Sequence, residues 1–117
     1  MKRARRNDKT CSIAHDYARI QEQNTAKEYG GYTTPKSGAG DIKGDVRVKG
    51  KYRIECKCTI KKSYALNKEY LRKFTEQAAA LAEDPIMQLH FIDEHGHKED
   101  GYIIMPENFI KDYLING

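Results

Sequence analysis

No stretch of the 117-residue sequence approaches the roughly 18 consecutive apolar residues that a membrane-spanning helix needs, which excludes that class. The N-terminus is basic, but no apolar stretch follows it, so a secretory signal is not expected. Cysteine is scarce and odd in number: Cys11, Cys56 and Cys58. Cys56 and Cys58 are too close along one segment to bridge comfortably, and no CxxC pair exists, so neither a disulfide framework nor a structural zinc site is expected. A reduced, cytoplasmic setting fits this usage. Internal repeats and low-complexity tracts are missing as well.

What remains is the composition of one soluble domain, 38% hydrophobic and 32% charged, large enough for a modest core. The net charge of +4 is unevenly spread. Lys2, Arg3, Arg5, Arg6 and Lys9 face Asp8 alone within residues 1–10. This segment is expected to be a flexible basic arm that touches phosphate, with a solubilising tail as the alternative. Residues 11–117 form the single folded domain.

Ile13, Ala14, Tyr17, Ala18 and Ile20 recur near helical spacing and predict a helix over 11–29, stopped by Gly30-Gly31. A short β-type run at Tyr32-Thr33-Thr34 ends at Pro35, and residues 37–44 form a glycine-rich loop. Alternating runs over 45–48 and 52–60 flank Lys49-Gly50-Lys51, which reads as a hairpin turn. Leu71, Phe74, Ala78 and Leu81 mark the buried face of a second helix over 67–83, closed by Asp84-Pro85. Strands over 86–92 and 101–105 follow, and Pro106 opens a terminal helix over 107–114. The order predicts an α/β fold, a mixed central sheet flanked by helices.

Successive strand residues point to opposite faces. In the second hairpin run Ile54, Cys56, Cys58 and Ile60 share one face, and Arg53, Glu55, Lys57 and Thr59 the other. In the first run Val46 and Val48 oppose Asp45 and Arg47. With the apolar faces aligned, Asp45, Glu55 and Lys57 meet on the opposite side. Two carboxylates beside one ammonium suit a hard divalent cation, Mg²⁺ or Mn²⁺, and phosphodiester hydrolysis. Asp45 and Glu55 are the expected ligands, helped by the backbone carbonyl of Cys56. Lys57 is placed to orient the attacking water or offset developing charge.

Asp41 competes with Asp45, but the valines that follow Asp45 fix its face. Lys61, Lys62 and Ser63 leave the strand directly and are expected to grip phosphates. Tyr70, Lys73 and Gln77 form a polar stripe on the second helix, from which Lys73 can reach a DNA backbone. Cys11, His15, His95 and His97 offer zinc-type ligands, yet no sequence feature brings them together, and exposed loop histidines are the default.

Gly44-Asp45…Glu55-Cys56-Lys57, preceded by a helix and the Ser37-Gly-Ala-Gly loop, resembles the PD-(D/E)xK nuclease superfamily, and more narrowly the archaeal and phage-type Holliday junction resolvases. The resemblance spans roughly residues 15–92. Gly44 stands where that family usually has proline, a structural rather than chemical departure. The resemblance implies a restriction-endonuclease-like fold and a glutamate on the first helix completing the metal site, with Glu22 the first choice and Glu28 the second. It further implies that Ser37 approaches the scissile phosphate and Gln77 the attacking water.

The expected activity is metal-dependent, structure-specific cleavage of four-way DNA junctions in recombination and repair, with no small-molecule cofactor. Symmetric cutting of two strands calls for a homodimer, since one domain of this size offers one site. Phe109, Ile110, Tyr113 and Leu114 are candidate interface residues. For a phage-encoded protein, the cytoplasm is that of the infected prokaryote. The rivals are another nuclease of the superfamily, restriction-like, nicking or repair, and a non-catalytic nucleic-acid-binding module.

Overall fold

In a computed structural model, the described residues are 8–34 and 45–116, with side chains of the first helix described from Ser12 onward. Arg3, Arg5, Arg6, Ser37 and Asp41 lie outside them.

The first helix, α1 (Asp8–Tyr29), begins inside the segment expected to be a flexible arm. It contains neither proline nor glycine. Gly30 ends it with φ 71°: Gly31 N–H donates to Ala26 O at 2.8 Å and Gly30 N–H to Lys27 O at 3.4 Å, a paired closure that needs a left-handed residue. Gly31 has a separate reason to be glycine, since a Cβ there would collide with Arg47 O. The chain can therefore turn tightly into β1 (Tyr32–Thr33).

Five strands form one mixed sheet in the order β1-β2-β3-β4-β5. β2 (Val46–Val48) and β3 (Tyr52–Thr59) are the predicted hairpin, with Val46 opposite Ile54. Gly50 takes φ 75° in its turn, and Lys51 N–H closes on Val48 O at 2.8 Å. β3 pairs in parallel with β4 (Asp84–Ile92), and β4 antiparallel with β5 (Lys98–Ile104). Parallel pairing requires a crossover, which α2 (Lys68–Ala80) provides. α1 covers the face bearing Ile54, Cys56 and Ile86, where Ala26 and Val46 complete a core cluster. α2 covers the other face through Phe74 and Ala78.

Several boundaries differ from expectation for identifiable reasons. β4 includes Pro85, although proline normally avoids a central strand. Asp84 N–H points to β3, donating to Lys51 O at 2.8 Å, so the Pro85 nitrogen faces β5. β5 pairing ends at Ile104 opposite Met87, so no ladder bond is lost there. α2 stops at Ala80 rather than at Glu83. Ala82 adopts φ 56° while Glu83 N–H returns to Ala78 O at 2.9 Å. That closure leaves Leu81 exposed and throws Glu83 under the hairpin. There Glu83 accepts from Arg47 Nη2 at 2.6 Å and Gly50 N–H at 3.1 Å. The expected stripe of α1 holds at Ile13, Ala14, Tyr17 and Ala18, which are partly buried, but not at Ile20. Ile20 is 52% exposed, while Gln21 and Thr25 are buried and both donate to Gln88 Oε1, at 2.9 and 2.8 Å.

β5 begins three residues earlier than the predicted run, and a register shift at Phe91/Ile92 accommodates the extra length. The terminal helix is α3 (Glu107–Lys111), continued by a π-helical turn over Asp112–Asn116. Among the described residues, no helix is long and apolar enough to cross a membrane.

Candidate active site

β2 starts at Val46 opposite Ile54, so from Glu55 onward β3 has no β2 residue beside it. The Asp45 carboxylate takes over as acceptor: Cys56 N–H donates to Asp45 Oδ2 at 2.9 Å. This bond fixes the side chain just ahead of β2. A strand residue points its N–H and C=O to the same side, so the Cys56 carbonyl faces the Asp45 side as well.

Glu55 is 5% exposed and turned toward α2. Its Oε2 accepts from Tyr70 Oη at 2.5 Å and from Lys57 Nζ at 3.0 Å. Its Oε1 is buried with no hydrogen-bond partner. Burial first, and the charge of Asp45 second, push the Glu55 carboxyl above its ordinary range, although Tyr70 and Lys57 oppose the shift. Burial would pull the Lys57 ammonium down, but the charge of Glu55 and the hydrogen bond to it outweigh burial and hold it above its ordinary value. Lys57 therefore remains a cation, 5.3 Å from the Tyr70 ring centroid. Alternation along β3 thus sets Glu55 and Lys57 on one face, with Asp45 near enough for its charge to act on both.

The remaining expected residues divide. Glu22 is half-buried on α1 and lines a cleft with Cys56, Lys57, Thr33 and Thr34. Its charge contributes to raising the Cys56 and Cys58 thiols. Burial is the larger cause in both, and Cys56 is pushed to about 12. The Cys56 thiol faces the α1 core, so only its backbone is offered to the site. Glu28 lies elsewhere, in a cleft with His90 and Lys98. Geometry therefore favours Glu22 of the two.

A closed ligand set is not formed. Among the described residues, no three His, Cys, Asp or Glu side chains stand close enough to hold one metal ion. For the zinc alternative this covers His15, His95 and His97, while the Cys11 side chain lies outside the described residues. His95 and His97 are exposed in the turn before β5, their N–H groups donating to Asp93 Oδ1 at 2.8 and 2.9 Å.

Gln77 lies on the same stripe of α2 as Tyr70, two turns further along. It is half-buried, and its Oε1 is buried without a partner. From α2 it is Tyr70 that reaches Glu55 and Lys57. The signal was positional: Tyr70 sits in the first turn of α2, where the chain has just left β3, while Gln77 lies two turns further on. Asn67 Oδ1 accepts from Tyr70 N–H at 2.9 Å and sets this first turn. Lys61, Lys62 and Ser63 are exposed in the connection between β3 and α2, and Lys73 lines a cleft shared with Lys57. Beyond β5, Ile110, Tyr113 and Leu114 are exposed, with Leu114 at 77%, while Phe109 is partly buried.

Comparison of the chain with models of protein families, with curated proteins and with solved structures found no match.

Proposed function

We propose that the protein is a metal-dependent endodeoxyribonuclease of the PD-(D/E)xK superfamily, with a restriction-endonuclease-like fold, acting on four-way DNA junctions as a resolvase. The observation that carries this reading is the pairing of Asp45 with Glu55 beside Lys57. Two adjacent carboxylates repel, and one buried oxygen of Glu55 lacks any partner. A divalent cation relieves both costs at once. Asp45, Glu55 Oε1 and the Cys56 carbonyl would hold the ion, with Glu22 contributing from α1 or through water. Magnesium usually takes only one or two protein carboxylates, so the set is sufficient.

When bound, the ion supplies Lewis acidity to the scissile phosphate and to water. The chain supplies the rest. Cys56 N–H and Tyr70 Oη fix the two carboxylates, which saves reorganisation during reaction. Lys57, kept protonated by Glu55, offsets charge building on the phosphate rather than accepting a proton. Lys61, Lys62 and Lys73 add phosphate contacts, which set affinity without reading sequence. Arg3, Arg5, Arg6 and Ser37 are assigned to the same DNA from the sequence. Paired cuts require a twofold homodimer, for which the exposed C-terminal apolar residues are the proposed contact.

The test is cleavage of a synthetic four-way junction against a linear duplex of the same sequence, with and without Mg²⁺ or Mn²⁺. Metal-dependent cutting confined to the junction, leaving 5′-phosphate ends, supports the reading. Equal cutting of both substrates leaves a nuclease of another kind, and binding without cutting leaves a nucleic-acid-binding module.

A further inference from the structure

A cleft of about 850 Å³ opens beside Lys57, between the β3–α2 connection and the outer face of α2. Its walls are of two kinds. Tyr64, Ala65, Leu66, Met87 and the ring of Tyr70 are apolar or aromatic, and Leu66 is 46% exposed among the described residues. Lys57, Arg72 and Lys73 bring positive charge, against Glu69 and Glu76. Lys57 is already paired with Glu55 at 3.0 Å, so three cations stand against three carboxylates and no run of uncompensated positive charge lines the cleft.

That balance decides between two occupants. A track for the duplex backbone meets one phosphate after another and needs several uncompensated cations. An aromatic and aliphatic wall with balanced charge, edged by Lys57, instead matches one base with a single phosphate at that edge. A base inside a duplex is already stacked and cannot enter. An unpaired base gains contact with a ring face, whichever base it is.

We propose that this cleft binds one unpaired nucleotide of the DNA, its base against Tyr64 and Leu66 and its phosphate toward Lys57. The inference rests on the nuclease reading above and sharpens it: the preferred substrate has a splayed nucleotide next to the bond at Glu55 and Lys57. A strand exchange point offers such nucleotides, and intact duplex does not. Exclusion of paired bases then selects branched DNA by shape, without base-edge recognition.

The experiment uses a four-way junction carrying 2-aminopurine at each exchange-point nucleotide in turn, mixed with the full-length protein in EDTA so that nothing is cut. Stacking in the cleft predicts a fluorescence change at one position or more, and none for 2-aminopurine within a matched duplex. Tyr64→Ala and Leu66→Ala should each abolish most of that change and weaken junction binding about tenfold. Their melting temperatures should stay at the parent's, because neither side chain is in the core. A parent that alters no 2-aminopurine position, or variants that alter it as the parent does, overturn the proposal. Cleavage in Mg²⁺ is scored separately. A fluorescence change without cleavage keeps the nucleotide cleft and removes the nuclease reading, while cleavage without a change does the reverse.

Discussion

The hydroxyl of Tyr70 donates to Glu55 Oε2 at 2.5 Å, so a residue in the first turn of α2 holds a carboxylate in the middle of β3. With Lys57 on the same oxygen, Glu55 presents only Oε1 to a ligand. Removing the hydroxyl frees the carboxylate to rotate. Tyr70→Phe should weaken Mn²⁺ binding by about tenfold or more, since a hydrogen bond to a charged group contributes about 1.5–3 kcal/mol. The ring over Lys57 is retained, so junction binding should not change. A Mn²⁺ titration of parent and variant checks this, and equal affinities would remove Tyr70 from the site.

Glu55→Gln should abolish cleavage without lowering stability. The environment of Glu55 raises its carboxyl above the ordinary range, so the ionised form is the one that costs folding energy at neutral pH. A neutral isostere removes that cost and the repulsion from Asp45. Thermal melts in EDTA should place the variant at or above the parent. Added Mn²⁺ should raise the melting temperature of the parent alone, because only the parent gains a bound ion.

Glu83 gives the opposite pH signature. Burial would push its carboxyl up, but hydrogen bonds from Arg47 and Gly50 and the charges of Arg47 and Arg53 outweigh burial and hold it below its ordinary 4.5. A depressed folded-state value means stabilisation that is complete above pH 4.5 and drains away as pH falls below it. Denaturation midpoints measured from pH 7 to pH 3 should show this loss. Glu83→Gln should flatten it and cost about 3 kcal/mol at pH 7, because Arg47 and Arg53 are left without their partner.

The β2–β3 hairpin is the most legible part of the chain. Period-two alternation fixes faces without knowledge of anything distant, so Asp45, Glu55 and Lys57 can be placed together from their neighbours alone. Glu83, Gln88 and Tyr70 are not legible for the opposite reason. The Arg47–Glu83 pair spans 36 positions and depends on a left-handed alanine ending α2 early. Gln21, Thr25 and Gln88 form a buried polar seam, which breaks the apolar periodicity that marks the inner face of α1. Tyr70 and Gln77 share one stripe, and a stripe gives direction around a helix but not distance along it.

The basic segment ahead of α1 makes a separable prediction. Removing residues 1–7 deletes Lys2, Arg3, Arg5 and Arg6. For every phosphate that these side chains neutralise, the truncated protein should show a slope of log affinity against log salt shallower by about 0.9. Binding isotherms at several salt concentrations measure that slope, and an unchanged value would make the segment a bystander.

The most direct measurement is junction cleavage in Mg²⁺ by the parent, Asp45→Asn, Glu55→Gln and Lys57→Ala at matched protein and DNA concentrations. The parent should cut, and all three variants should bind the junction while losing cleavage by about a hundredfold or more. Turnover at the parental rate in Asp45→Asn or Glu55→Gln would contradict the account.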